Sequence, residues 1–177
     1  MADSPVKSCI YARRSIRRFT TQRVERSLIE ELLMAGCMAP TGSNIQSWRF
    51  VVLDDPRQIE AVCAVSPGIS DSPPCILVLC ADESLALSKG GVLARDQLAI
   101  VDVCMSAQNI MLLATEKGLG SCVIKSFQAV LVQRLLGLPE DIKPLLLITL
   151  GYPAEPPASA PKRRPLSEIL RYNRWEG

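Results

Sequence analysis

Apolar and polar positions along this chain repeat with two different periods, and each change of period marks an element. Asp3 or Ser4 followed by Pro5 reads as a helix start, predicting a short helix to about Ala12. Ser27-Leu28-Ile29-Glu30 has capping-box spacing. Leu28, Leu32, Met34, Ala35 and Met38 then recur at helical intervals, so a helix is predicted to about Met38, ended by Pro40. Residues 41–47 are polar and turn-prone. Trp48–Leu53 predicts a strand, closed by Asp54-Asp55-Pro56. Residues 57–65 predict a short helix, and Ser66 to Pro74 a loop. Cys75–Cys80 is apolar throughout, the pattern of a strand covered on both faces.

The longest helical pattern runs from about Val92 to Lys117, with Gly118 as its stop. Leu93, Gln97, Ile100, Cys104, Ala107, Met111 and Ala114 step along one face, while Leu98, Val101, Met105, Leu112 and Leu113 make the helix apolar almost all round. Such a helix is buried in a large core or between subunits, and in a small domain a subunit interface is the simpler account. A short strand at Ser121–Ile124, a helix from Gln128 to Leu136 and a buried strand at Leu145–Leu150 follow. Beyond Gly151 the prolines forbid regular structure until the closing segment from Leu166 to Gly177. Strands separated by helices, with few crossover units, predict an α+β fold on a mixed sheet. There is no internal repeat, and residues 1–177 read as one domain.

Composition narrows the chemistry. The formal net charge of +2 gives no global field for gripping nucleic acid. The sequence has no histidine, which rules out a Ser-His-Asp triad, a Cys-His dyad and a His-ligated zinc. Seven cysteines without CxxC spacing, most with apolar neighbours, read as reduced core thiols of a cytoplasmic protein. Cys122 stands apart because of the turn it follows. The N-terminus lacks the basic and apolar regions of a signal peptide, and the uninterrupted apolar runs fall short of a membrane span.

Four stretches could carry function. Arg13-Arg14-Ser15-Ile16-Arg17 offers guanidiniums and a hydroxyl suited to a phosphate; its plainer reading is a solvated helix end. Lys162-Arg163-Arg164 could clamp the same phosphate from the other end of the chain, or be a solvated basic patch. Pro40-Thr41-Gly42-Ser43-Asn44-Ile45-Gln46 combines amide donors and acceptors with small residues, which suits the edge of a heteroaromatic ring as well as an ordinary loop. Gly118-Leu119-Gly120-Ser121-Cys122 lacks GxGxxG spacing, and no GxxxxGK[ST] loop is present, so Rossmann and P-loop sites are excluded. Asp96, Asp102 and Glu116 on the long helix read as ion-paired or solvated charges.

In order and spacing, these pieces resemble the nitroreductase family. The matching stretches are RRSIRRF at 13–19, IEELLMAGCMAPTGSNIQSWRFVVLDDP at 29–56, SAQNIMLLATEKGLGSC at 106–122, LGYPAEPP at 150–157 and KRRPLSEIL at 162–170. The resemblance implies an α+β fold with a central mixed or antiparallel sheet flanked by helices. It implies an intertwined homodimer whose C-terminal segment crosses to the partner, with two FMN sites at the interface. It assigns Arg13, Arg14, Ser15 and Arg17 to the flavin phosphate and ring, with Arg163 as the C-terminal phosphate contact. Pro40, Thr41, Ser43, Asn44 and Gln46 match the loop that reaches the flavin from the other subunit. Ile124, Lys125 and Ser126 fall where the backbone passes the reactive edge of the ring, with the Ser126 N–H as the candidate donor near flavin N5.

The mechanism so implied is ping-pong. NADH or NADPH delivers hydride to FMN, and an electron-poor small molecule such as a nitroaromatic or quinone then takes its place. Ser47 stands where the family often has a proline. The stretch from Arg57 to Pro74 lacks the Asn and Lys ring contacts of larger members, whose pocket-roofing insertions are also missing. Other readings are a flavin-specialised enzyme such as a reductive dehalogenase, a non-catalytic FMN-binding or redox-sensing protein, and a purely structural dimer. Turnover of reduced nicotinamide separates the enzymes from the binding protein, and a yellow preparation rejects the last.

Overall fold

The unbroken apolar run at 75–80 becomes the centre of the sheet. In the computed structural model, which describes residues 4–157 and 159–175, β2 (Cys75–Asp82) lies between β1 (Trp48–Leu53) and β4 (Ile142–Gly151). β3 (Gly120–Ile124) pairs with the far side of β4, giving the order β1-β2-β4-β3. Every pairing is antiparallel, which resolves the predicted mixed or antiparallel sheet in favour of the second. Successive residues of β2 point to opposite faces. Leu77 and Leu79 join Ile148, Leu150, Leu32, Val103 and Ile110 in one core. Ile76, Val78 and Cys80 join Leu147, Ile59, Val62 and Val132 in the other. Helices therefore cover the sheet on both sides.

On the first side lie α1 (Pro5–Ala12), α2 (Arg26–Cys37) and α5 (Ala99–Glu116). α2 and α5 cross at Gly36, where a Cβ would stand 2.8 Å from Ser106 Oγ. On the second side lie α3 (Pro56–Ala64) and α6 (Ala129–Leu135). A short α7 (Leu166–Ile169) stands in the C-terminal tail. The predicted boundaries hold where a side chain enforces them. Asp55 caps α3 by accepting from Arg57 and Gln58 N–H, and Gly118 and Gly137 end α5 and α6 in the left-handed region.

Three expectations are corrected. The capping box at Ser27 does not form: α2 begins at Arg26 with Glu25 as its uncapped N-cap, which places Ser27 inside the first turn. The long helical run begins earlier than Val92. α4 (Glu83–Leu93) follows β2 directly, capped by Asp82, and a π turn at Ala94–Leu98 joins it to α5. The buried stripe of α5 is also different. Ala99, Val103, Ala107, Ile110 and Ala114 face the sheet, while Ile100, Val101, Cys104 and Met105 are exposed, as are Leu93 and Gln97. Alanines at three of these five positions let the helix approach the sheet, with Val103 and Ile110 filling the core between them. By length and composition the run Glu83–Glu116 could cross a membrane, but here its buried stripe is the sheet's cover. Of the helix start at Asp3 or Ser4, Ser4 takes the N-cap position without a side-chain bond. Asp3 and the Gly177 end of the closing segment lie outside the described residues.

All seven cysteines are free thiols, with Cys75, Cys80 and Cys122 buried and Cys104 exposed against expectation. Cys122 sits in β3, not in a reactive turn. Burial pushes the thiols of Cys75 and Cys80 up to about 12, with the Asp54 charge adding to the effect at Cys75. Their protonated form is the one the fold accepts. That contribution to stability should be intact below the unfolded thiol value and lost as pH rises towards about 12. The slope is about 1.4 kcal/mol per pH unit for each thiol. Urea unfolding across alkaline pH checks this, and Cys75→Ala with Cys80→Ala should flatten the profile. In the same range Cys75 and Cys80 should react with a thiol reagent only after unfolding.

Candidate functional site

The segment after α1 cannot continue as helix. Arg13 leaves helical geometry, and the Arg14 guanidinium turns back onto the carbonyls of Tyr11 and Arg13 at 2.6 and 2.8 Å. The chain then runs along the outer edge of β3. Ile16 N–H donates to the Ser121 carbonyl at 2.9 Å, and Ser15 bridges Ser121 in parallel. Gly120 makes this approach possible, since a Cβ there would lie 2.7 Å from Ile16 Cβ. Further on, Phe19 bridges Pro153, Thr20 N–H donates to the Tyr152 carbonyl at 2.8 Å, and Arg18 pairs with Glu155 at 2.6 Å. These links bring the proline-rich tail back to the N-terminal segment.

The two basic clusters consequently meet. Arg13, Arg14, Ser15 and Arg17 line one cavity of about 350 Å³ together with Ser159, Pro161 and Arg163. Four cations elsewhere are neutralised locally, Arg26 by Asp54, Arg49 by Asp82, Arg95 by Asp96 and Lys117 by Glu31, while others among the described residues, such as Arg57 and Arg134, are unpaired but scattered. The Arg26 hydrogen bond holds the Asp54 carboxyl below its usual range. Among the described residues, Arg13, Arg17 and Arg163 have no ion-pair partner. Arg14 Nε is buried without an acceptor. A concave group of unpaired guanidiniums with an orphaned donor in its wall is a site for a multiply charged oxyanion.

Ile124, Lys125 and Ser126 lie on the same sheet edge, where β3 ends. The Ser126 carbonyl accepts from Gly68 N–H at 3.0 Å, and a Cβ on Gly68 would stand 2.7 Å from Ile124 Cγ2. The Ser126 N–H has no acceptor among the described residues. Lys125 Nζ donates to the Leu145 carbonyl at 3.0 Å and stands 5.6 Å from the centre of the Phe127 ring. Leu145 is the extra residue of a β-bulge against β2, next to Pro144, so its carbonyl is turned out of the ladder.

Pro40, Thr41, Ser43, Asn44 and Gln46 form a strained turn ahead of β1. Ser43, Asn44 and Gln46 all have φ between 51° and 56°. Non-glycine residues in that region cost about 1–2 kcal/mol each, and such strain gathers at functional sites. Thr41 Oγ1 accepts from Gln46 N–H at 3.1 Å, and Gln46 Nε2 donates to Asn44 Oδ1 at 2.9 Å. Arg49 reaches from the Gln46 carbonyl to Asp82, tying the turn to α4. The sequence had Asp102 as a solvated or ion-paired charge. It is instead buried, and its carboxylate accepts from Gly42 N–H at 3.1 and 3.3 Å. A lone acid within the most apolar stretch of that helix was the only signal for it. Asp96 is paired with Arg95 as expected, and Glu116 is exposed.

The structure does not bring this turn to the basic cavity of the same chain. Trp48 pairs with Ala81, and Ala81 with Lys143; Ser15 bridges Ser121, which pairs with Leu150. The two sites thus occupy opposite corners of the sheet. Strand spacings place them about 19 Å apart across the sheet and about 23 Å apart along it.

Replacing Gly120 tests the edge contact on which the cavity rests. Gly120→Val should push Ile16 off β3, and the Ile16 amide should then exchange with solvent far faster than in the wild-type protein. Hydrogen exchange read at Ile16, with the β2 amides as internal control, separates local detachment from general loosening.

Known proteins share this architecture. The Nitroreductase family model matches residues 10–67 and 64–152. A Thermus thermophilus protein named NADH dehydrogenase is 30% identical over 178 residues, covering 84% of this chain and 87% of that one. The Vibrio harveyi NADPH:FMN oxidoreductase complexed with NAD+ superposes with a TM-score of 0.88 at 26% identity, covering 98% of this chain and 79% of that one. A nitroreductase family protein from Clostridium difficile gives a TM-score of 0.85 at 25% identity, covering 98% and 99%. With the family model spanning most of its length, the chain belongs to the nitroreductase family.

Proposed function

We propose that this protein binds FMN in the Arg13–Arg163 cavity and passes hydride from NADH or NADPH to an electron-poor small molecule, such as a nitroaromatic or quinone. It is an NAD(P)H-dependent flavin oxidoreductase. The observation that carries the reading is the convergence of Arg13, Arg17 and Arg163, none of them ion-paired, with the orphaned Nε of Arg14. These groups fit a phosphate monoester. FMN, when bound, supplies the hydride chemistry. Arg13, Ser15, Arg17 and Arg163 would hold the phosphate, and the backbone just after β3 would take the ring. There the free Ser126 N–H is the donor offered to flavin N5. Ile124 and Lys125 fix that backbone, Lys125 through its bond to Leu145. The absence of histidine suits such a scheme, which asks for orientation of cofactor and substrates more than for proton transfer by side chains.

The site is completed by a second copy of the chain. Two corners of the sheet about 30 Å apart by strand spacing are farther apart than one FMN reaches. In a two-fold homodimer, the turn with Pro40, Thr41, Ser43, Asn44 and Gln46 serves the partner's flavin, and the exchange is reciprocal. The outward face of α5 supports this arrangement, since Ile100, Val101 and Met105 are exposed beside Met34 and Met38 of α2. Crossing of the C-terminal segment to the partner is part of the same proposal. Free thiols throughout support a reducing, cytoplasmic setting.

Two experiments test this reading. Purified protein should show a flavin spectrum that bleaches anaerobically with NADH or NADPH and returns on adding a nitroaromatic or quinone. A spectrum that stays oxidised with both donors would point to a flavin-binding protein without turnover, and failure to take up FMN would refute the site. The double variant Arg13→Ala, Arg163→Ala should lose about 1.5–3 kcal/mol of FMN affinity for each charged bond removed. Unchanged affinity in a flavin titration would exclude these residues from the phosphate site.

A further inference from the structure

The left-handed turn at 43–46 needs something to hold it. Ser43, Asn44 and Gln46 adopt positive φ without the freedom of glycine, within four residues of one another. From outside, the Thr41 hydroxyl closes the turn by accepting from Gln46 N–H. From inside, Ile45 is packed among Ala81, Ala86, Ala94 and Ala99. The remaining hold is a carboxylate. Asp102 is 4% exposed, stands one turn into α5, and places both oxygens within hydrogen-bond reach of Gly42 N–H at 3.1 and 3.3 Å. Removing a carboxylate from water is costly unless its partners compensate, so an acid kept on a buried helix surface marks a demand that an apolar residue would not meet. α5 is the most deeply packed helix of the fold, which gives the anchor a fixed origin. A bond to a charged acceptor is also stronger than one to a neutral acceptor.

We infer that Asp102 is a positioning residue for flavin binding. Through Gly42 it fixes the strained turn, so that Ser43, Asn44 and Gln46 meet the cofactor already in their bound shape. The inference rests on the FMN reading above. It adds that affinity for the flavin is set partly by a buried acid that never touches it, and that in the dimer each Asp102 acts on the site shared with the partner. Organising the turn before binding spares the cost of ordering it during binding.

The test compares Asp102→Leu, which fills the space without an acceptor, with Asp102→Asn, which keeps an oxygen facing Gly42. Both are studied as full-length protein well below their melting temperatures. Asp102→Leu is expected to raise the FMN Kd roughly 10- to 100-fold and to weaken the visible circular dichroism of the flavin at saturating FMN. Asp102→Asn should restore both, with Kd within about fivefold of wild type. A lowered melting temperature with wild-type Kd and wild-type flavin dichroism in Asp102→Leu would overturn the inference, leaving Asp102 as core packing alone. Should the leucine variant not fold, hydrogen exchange of the Gly42 amide in FMN-free wild-type protein decides. Protection comparable to sheet amides supports a turn held in advance, and open-chain exchange overturns it. Wild-type protein that takes up no FMN refutes the flavin reading before any variant is made, and the Gly42 amide still reports on the anchor.

Discussion

The hydrogen bond from Ile16 to the Ser121 carbonyl, made possible by the bare Cα of Gly120, is the contact on which the basic cavity depends. An extended segment laid on an edge strand is held by backbone groups, so its side chains are free to face outward. Arg13, Ser15 and Arg17 use that freedom. Arg18 and Thr20 then reach the residues just beyond β4, which returns Pro161 and Arg163 to the start of the same segment. Arginines brought together this tightly would repel one another in an apolar setting. They sit at a solvated rim with only Arg14 deeply engaged, and Arg14 spends two donors on the C-terminal carbonyls of α1. The fold therefore carries unsatisfied positive charge where a cofactor phosphate can neutralise it.

At the opposite corner of the sheet the device is different. There the chain stores backbone strain instead of charge, in a turn clamped by Thr41 from one side and Asp102 from the other. One corner thus attracts an anion over a distance, and the other presents shaped polar edges at contact range. In the proposed two-fold dimer a single chain would supply both to each site. The same dimer would give the apolar outward face of α5 a partner, the inward face already being spent on the sheet.

The sequence was a good guide where one residue decides a boundary. β1 was legible from the turn signals on both sides of Trp48–Leu53, and Gly118 and Gly137 stop their helices as composition suggests. It was a poor guide where several residue types compete. α5 is apolar all round, so periodicity alone could not choose its buried stripe. The buried stripe mixes alanines with Val103 and Ile110, so side-chain size does not single it out either. α4 escaped notice because Asp82 both ends a strand and caps a helix, leaving no loop between them. The basic clusters were legible as phosphate-seeking chemistry, but their meeting depends on contacts across more than a hundred residues. The turn was legible, with Asn44 a residue that tolerates positive φ, but nothing marked Ser43 and Gln46 as left-handed, and the acid that secures them lies far along the chain.

The strand order also sets a timetable for biosynthesis. β3 pairs only with β4, and β2 has one edge open until β4 arrives. A growing chain emerges N-terminus first, so the most apolar strand, with half of its ladder unpaired, waits while some sixty further residues are made. During that interval the nascent chain exposes a hydrophobic strand edge, the surface most prone to pairing with a neighbour's. The sheet therefore closes only once β4 has emerged, and its central strand has little opportunity to be covered in instalments.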